Sequence, residues 1–224
     1  MTDVREGRCV ILGGGGHARM LIDALQSSGL AEPYAVLDPD RSLWGKEVFG
    51  VPIIGGDEML PELVKEGVSA FAVGVGSTGD NGPRKQLFEL GLSHGLSPQT
   101  IRHPSAICSK WAETGAGSQF LPGAIVNAGV RLGRNVIVNS GAVVEHDCVI
   151  EDHVHVATGA HLASTVRVGA GAHVGAGATV RQSLTIGPWA VIGAGAAVVK
   201  DVASRAMVVG VPARDLRDRK MSSE

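Results

Sequence analysis

One aliphatic residue returns every six positions through the second half of this chain. The series runs Val126, Leu132, Val138, Val144, Ile150, Val156, Leu162, Val168, Val174, Val180, Ile186, Ile192 and Val198, thirteen units without a break. Two residues earlier in each unit stands a small or aliphatic partner, from Ala124 and Val130 to Ala190 and Ala196. Six is not a multiple of 3.6, so no amphipathic helix holds this pattern. Short strands joined by corners do. Three hexads make a triangular coil of 18 residues, and coils stack at about 4.8 Å, the spacing of parallel strands. The aliphatic and its partner then point inward on each face. Glycine follows the aliphatic at Gly133, Gly169, Gly175, Gly187 and Gly193, which reads as a corner of unusual backbone angles. The register extends back weakly through Phe120 and Cys108.

Composition agrees with a repetitive backbone. Of 224 residues, 32 are glycine and only 4% are aromatic, while 44% are hydrophobic, enough for a core. The net charge of -2 offers no basic field for nucleic acid or an anionic membrane. No apolar run is long enough for a signal peptide or a membrane-spanning helix, so a cytoplasmic protein is expected. The odd set Cys9, Cys108 and Cys148 argues against a disulfide framework. Cys148 occupies a small inward slot of its hexad and is not a candidate nucleophile.

The first hundred residues follow another rule. "CVILGGGGHARMLIDALQSSG" reads as strand, glycine loop and helix, with the helix ending at Gly29. "YAVLD" and "SAFAVGVG" read as further strands, and a helix follows near Pro83. This is a small α/β unit with a parallel sheet. The loop Gly13-Gly14-Gly15-Gly16-His17-Ala18 fits G-x-G-x-x-A, and Asp38 ends the second strand. Such a loop at a helix N-terminus binds phosphate. A nicotinamide dinucleotide and a nucleoside diphosphate sugar both satisfy it, although the unit is short for a full dinucleotide fold. Gly13, Gly15, Gly16 and His17 are candidates for phosphate or sugar, and Asp38 for a ribose or base.

The repeats carry "AVVEHDCVIEDHVHVATGAH". His146 falls at a corner, with Asp147 beside it. His155 and His173 are one coil apart and stack on one outward-facing slot, which His161 occupies on the next face. Three readings compete for these histidines, and a solvated outer face is the first, for His153, His161 and His173 more than for His146. A zinc site needs three converging histidines, and no third ligand joins His155 and His173. General-base catalysis needs a neutral histidine with an orienting carboxylate, and "EHDC" supplies that pair.

Taken together, "ILGGGGHA", "VGVG" with Arg84 downstream, "IRHPSAI", "NSGAVVEHDCVI", "HVHVATGAHLA" and "VVGVPAR" resemble the bacterial nucleotide-sugar N-acetyltransferases of the hexapeptide-repeat acyltransferase superfamily, over nearly the full length. Sialic acid O-acetyltransferases are related. The resemblance implies a Rossmann-like α/β domain at 1–100, a left-handed parallel β-helix at 101–205 and a tail at 206–224. The handedness rests on the resemblance alone. It also implies a homotrimer that transfers acetyl from acetyl-CoA, without a metal, to a nucleotide-linked amino sugar, of which a 4-amino-4,6-dideoxy sugar is the usual class. By the family pattern His146 is the base and Asp147 its orienting acid, and His155 lies beside the thioester. Asn139 and His17 meet the nucleotide-sugar, with Gly76 and Arg84 on the substrate side. Ser164 stands where the family usually has a glycine against the cofactor. Arg214, or Lys220, is a candidate for a CoA phosphate. O-acetylation of a free sugar, an NAD-binding protein and a metal-binding repeat protein are the rival readings.

Overall fold

The computed structural model describes residues 7–216. The chain divides into two compact units, one up to Gly76 with Pro83–Pro104, the other Ser77–Gly82 with Ser105 onward. The division near residue 100 therefore falls at 104/105. Six residues inside the first hundred, 77–82, belong with the repeats.

In the first unit, β1 (Arg8–Leu12), β2 (Glu32–Leu37), β3 (Glu47–Val48), β4 (Val51–Gly55), β5 (Ala70–Val73) and β6 (Ser97–Pro98) form one sheet in the order β3-β4-β2-β1-β5-β6. All neighbours are parallel except β3 and β4. Cys9, Val10, Ile11 and Leu12 are fully buried, as a central strand covered on both faces requires. Helices α1 (Gly16–Ser28), α2 (Leu60–Lys65) and α3 (Gly82–Ser93) complete the unit. Helix α1 buries Ala18, Leu21, Ile22, Ala24 and Leu25 and stops at Gly29, whose φ of 67° lets its N–H cap Leu25. The β3–β4 hairpin was not foreseen. Its two-residue turn is Phe49 and Gly50, at φ 49° and 79°, and a phenylalanine at the first position hides a signal that Asn-Gly would have announced.

The second unit is a β-helix of two-residue strands in three ladders. The first ladder rises through Gln119–Phe120, Ile137–Val138, His155–Val156, His173–Val174 and Val191–Ile192. The second includes Ile125–Val126, Val143–Val144, His161–Leu162 and Thr179–Val180. The third includes Arg131–Leu132, Val149–Ile150 and Arg167–Val168. Each rung lies 18 residues above the last, as the hexads require. The aliphatic of every hexad and its small partner are buried in one continuous core. The 206–224 segment is not a separate tail within the described residues. Met207–Val209 adds a rung beside Val191, Arg214–Asp215 returns antiparallel, and Ala206 and Val208 join the core.

The glycines after the aliphatics have a different reason from the one expected. Gly133, Gly169, Gly175, Gly187 and Gly193 are not in the left-handed region. They are small because the next coil is too close. A Cβ on Gly169 would sit 2.6 Å from the backbone nitrogen of Pro188, and one on Gly175 would sit 2.7 Å from that of Ala194. The left-handed corners lie elsewhere in the hexad, at glycines such as Gly177 but also at Asp147 and His153, with φ of 65°, 59° and 62°. Gly169→Ala should therefore cost about 1–3 kcal/mol by overpacking against main chain that cannot yield. Thermal unfolding of the variant reads this, and an unchanged Tm would show that the coils can separate locally.

Candidate active site

In the first unit the candidate residues gather where the order of the sheet reverses. β2 lies on one side of β1 and β5 on the other, and ligands of such sheets sit beyond the carboxyl ends of the strands at this switch point. The loop at residues 13–17 leaves β1 there, and the 74–76 loop leaves β5. Gly13 has φ 101° and donates its N–H to Leu37 O at 2.7 Å. A Cβ on Gly74 would strike Ile11 at 2.7 Å and Ala18 at 3.1 Å, so this crossing needs glycine. Gly15 caps α1, Gly16 opens it, and both are exposed with open space where a side chain would be. The half-buried His17 lies against Gly76, where a Cβ would stand 3.5 Å from its ring.

Two candidates differ from expectation here. Asp38 Oδ2 accepts the Gly14 N–H at 2.7 Å and Oδ1 accepts the Asp40 N–H at 2.9 Å. Its carboxylate shapes the loop itself. Arg84 is fully buried, and burial lowers its pKa to about 9. Its Nη1 donates to the carbonyls of Val73 at 2.9 Å and Val75 at 3.0 Å. Arg84 therefore fixes the end of β5 through Nη1.

In the repeat unit His146 and Asp147 occupy the corner between the second and third ladders. Nδ1 of His146 lies 2.8 Å from Asp147 Oδ2, and both side chains are more than half exposed. A carboxylate there takes the Nδ1–H, which leaves Nε2 as a base facing solvent. Ser164 lies one coil further on in the same column. The Thr165 N–H donates to His146 O at 3.0 Å, and the Ser164 carbonyl accepts from Ser183 N–H at 3.0 Å.

A cleft of about 380 Å³ opens on the first ladder and its corner toward the second. It is lined by Ser77, Asn139, His155, His173 and the backbone near Gly175 and Gly193, among others. His155 and His173 face each other across one rung, ring centroids 5.0 Å apart and nearly edge-on. Neither is on a solvated face: each is at most 6% exposed, and burial pushes the His173 pKa down. His153 is also buried, bonded to Asn135 Nδ2 at 2.9 Å, so of the outward histidines considered only His161 meets solvent. The unforeseen residue is Ser77. Its Oγ lies 2.8 Å from His155 Nδ1 and 3.2 Å from His173 Nδ1. Asn81 pins the same segment by donating from Nδ2 to Gly171 O and Ala172 O. The cleft thus brings Asn139 and His155 together, while His146 and Asp147 stand at another edge of the prism.

Arg214 is exposed and bonds Ala213 O at 3.0 Å, near Lys200 in a second cleft of about 350 Å³. Lys220 lies outside the described residues. Cys9 and Cys148 are buried, with thiol pKa values raised to about 12 and about 11, which suits packing and not nucleophilic work. Among the described residues no group of three or more His, Cys, Asp or Glu is placed to hold a metal, and no helix is long and apolar enough to cross a membrane.

Comparison with known proteins matches both halves. The PglD N-terminal domain matches residues 8–90, and the bacterial transferase hexapeptide (six repeats) matches 147–182. PerB from Caulobacter crescentus, solved with CoA and GDP-perosamine, is 38% identical with a TM-score of 0.87, over 94% of this chain and 97% of that one. The acetyltransferase domain of PglB from Neisseria gonorrhoeae FA1090, solved with acetyl coenzyme A, is 35% identical with a TM-score of 0.86, over 93% and 98%. A GDP-perosamine N-acetyltransferase of Escherichia coli O157:H7 is 32% identical over 142 residues, which is 61% of this chain and 61% of that relative.

The supporting role of Arg84 is open to test. Arg84→Met keeps much of the volume and removes the donors to Val73 and Val75. A buried carbonyl left unsatisfied costs about 1–3 kcal/mol, so the variant should show a clearly lower Tm without any ligand. A wild-type Tm with weakened substrate binding would instead make Arg84 a direct ligand contact.

Proposed function

The chain belongs to the bacterial nucleotide-sugar N-acetyltransferases that join a PglD-type N-terminal domain to a hexapeptide-repeat β-helix, and on that premise we propose that it moves the acetyl group of acetyl-CoA onto the amine of a nucleotide-linked amino sugar. The observation that carries the chemistry is the 2.8 Å contact between His146 Nδ1 and Asp147. The amine nitrogen attacks the thioester carbonyl, and a C–N bond forms. His146 Nε2 takes the amine proton. The C–S bond breaks, and the proton passes to the departing thiolate. No acyl-enzyme is involved. Asp147 holds the ring in the tautomer whose Nε2 is free to accept, and stabilises the imidazolium.

Open space at Gly15 and Gly16, the N-terminus of α1 and the half-buried His17 support a diphosphate at the glycine loop. A GDP-linked 4-amino-4,6-dideoxy sugar is the first acceptor to try, because one relative is solved with GDP-perosamine and another is named for it. The cleft at His155 and Asn139 suits the thioester end of acetyl-CoA. One prism carries this cleft and the base at different edges, and a neighbouring copy set edge to edge supplies the missing half. Repeated around an axis this contact closes a ring, and a triangular prism favours three copies. Assembly as a homotrimer in the cytoplasm completes the reading.

CoA release with acetyl-CoA and a panel of UDP-, GDP- and dTDP-linked 4-amino sugars, free sialic acid and serine tests the proposal. Turnover on one nucleotide-linked amine is expected. His146→Ala should lower kcat by about 10²–10⁴-fold. Near-normal kcat in that variant, or turnover only on a free hydroxyl, would sink the assignment. Sedimentation of the wild-type chain should give three times the monomer mass, and a monomer at assay concentration that is fully active would remove the shared site.

A further inference from the structure

The hydrogen bonds around the two stacked histidines have a direction that can be read residue by residue. Asn139 Oδ1 accepts the Ser140 N–H at 2.8 Å, which fixes the amide so that Nδ2 faces His155 Nε2 at 3.0 Å. An amide nitrogen only donates, so His155 Nε2 is the acceptor and carries no proton. The ring proton of neutral His155 is then on Nδ1, which donates to Ser77 Oγ at 2.8 Å. The Ser77 hydroxyl has one proton of its own. It goes to the next acceptor, His173 Nδ1, at 3.2 Å. His173 is thereby left with its proton on Nε2, in a side chain that lines the cleft. The order is Asn139 to His155, His155 to Ser77, Ser77 to His173, and no link runs backward.

We propose that Ser77 is a positioning residue that passes the Nδ1–H tautomer set on His155 by Asn139 to His173 as the Nε2–H tautomer, so that His173, not His155, is the ring that offers an N–H to an acceptor in the cleft. A protonated His155 would set its Nε2–H against the Asn139 amide, so the same network holds the ring neutral. Ser77 is fit for this because the segment 77–82 is part of the repeat unit and Asn81 anchors it to main-chain carbonyls of the rung that carries His173. A hydroxyl is also the one small side chain that accepts from one ring while donating to the other. The assignment of tautomers stands without ligand. Only its consequence for turnover rests on the acetyltransferase reading.

The test uses the full chain labelled with ¹⁵N in its histidines, in long-range proton–nitrogen spectra above pH 7.5. The wild type should show the Nδ1–H pattern, less common in free imidazole, for His155 besides His146 and His94, whose Nδ1 atoms face Asp147 Oδ2 and Leu90 O, and His155→Gln should remove one ring of that pattern. Ser77→Ala should release His173 toward a tautomer mixture while His155, still facing the Asn139 amide, keeps Nδ1–H, and Ser77→Thr should preserve the wild-type pattern in both rings. An Nε2–H pattern for His155 in the wild type overturns the proposal before any variant is made. So does a Ser77→Ala spectrum in which His173 is unchanged. In the CoA-release assay, the loss of one hydrogen bond should lower kcat about 2–12-fold in Ser77→Ala, with recovery in Ser77→Thr. Absence of activity in the wild type would refute the proposed function and leave the spectra to decide the tautomers. Normal tautomers with lost activity would refute the positioning role.

Discussion

The structure of the repeat unit depends on main-chain hydrogen bonds between successive coils. The Ile137 N–H bonds Val154 O and the Asn139 N–H bonds Val156 O, each at 2.9 Å, and the same 17-residue step recurs along the prism. A two-residue strand has no stability of its own. It exists because the strand one coil away satisfies its backbone and because its aliphatic fills the centre. A coil length held at 18 residues therefore decides which side chains can meet. It sets His155 over Ile137 and under His173, and it sets Ser164 one step from His146. A single inserted residue in one coil would shift these partners to different columns.

Much of this was legible because the period is local. The hexad series named the inward residues, and burial follows it from Ala124 to Val198. The contact of His146 with Asp147 was also legible, since adjacent residues at a corner need no long-range information. The surroundings of His155 and His173 were not. Ser77 lies 78 and 96 residues away from them in sequence, and nothing in "VGSTGDNG" announces that this loop belongs with the repeats. Without that segment both histidines read only as outward-facing.

Arg84 and Asp38 show a second way in which a motif misleads. Both stand at positions expected to meet a ligand, and both carry hydrogen bonds to the loops that would form its site: both oxygens of Asp38, and Nη1 of Arg84. Asp38 ties the 13–17 loop to β2, and Arg84 ties the end of β5 to α3. A charged residue in a glycine-rich region thus reads alike in sequence whether it binds a phosphate or shapes what binds it. Burial separates the two cases. An arginine with no exposed surface has exchanged water for carbonyls, and its removal acts first on folding.

The corner at Asp147 has a backbone conformation that adjacency to His146 does not explain. Its column contains Gly129, Asp147, Thr165 and Ser183, with φ of 72°, 59°, 61° and 61°. The backbone there needs a left-handed residue, and glycine or a small polar side chain meets that need. A carboxylate is not required by the turn, and asparagine or glycine would serve the fold as well. Yet the left-handed conformation is what turns Asp147 back toward its own predecessor, so that Oδ2 reaches His146 Nδ1 at 2.8 Å in a pair open to solvent. An exposed pair of this kind contributes little to stability. Its geometry suits the role proposed for His146, because the carboxylate on Nδ1 leaves Nε2 ready to accept a proton.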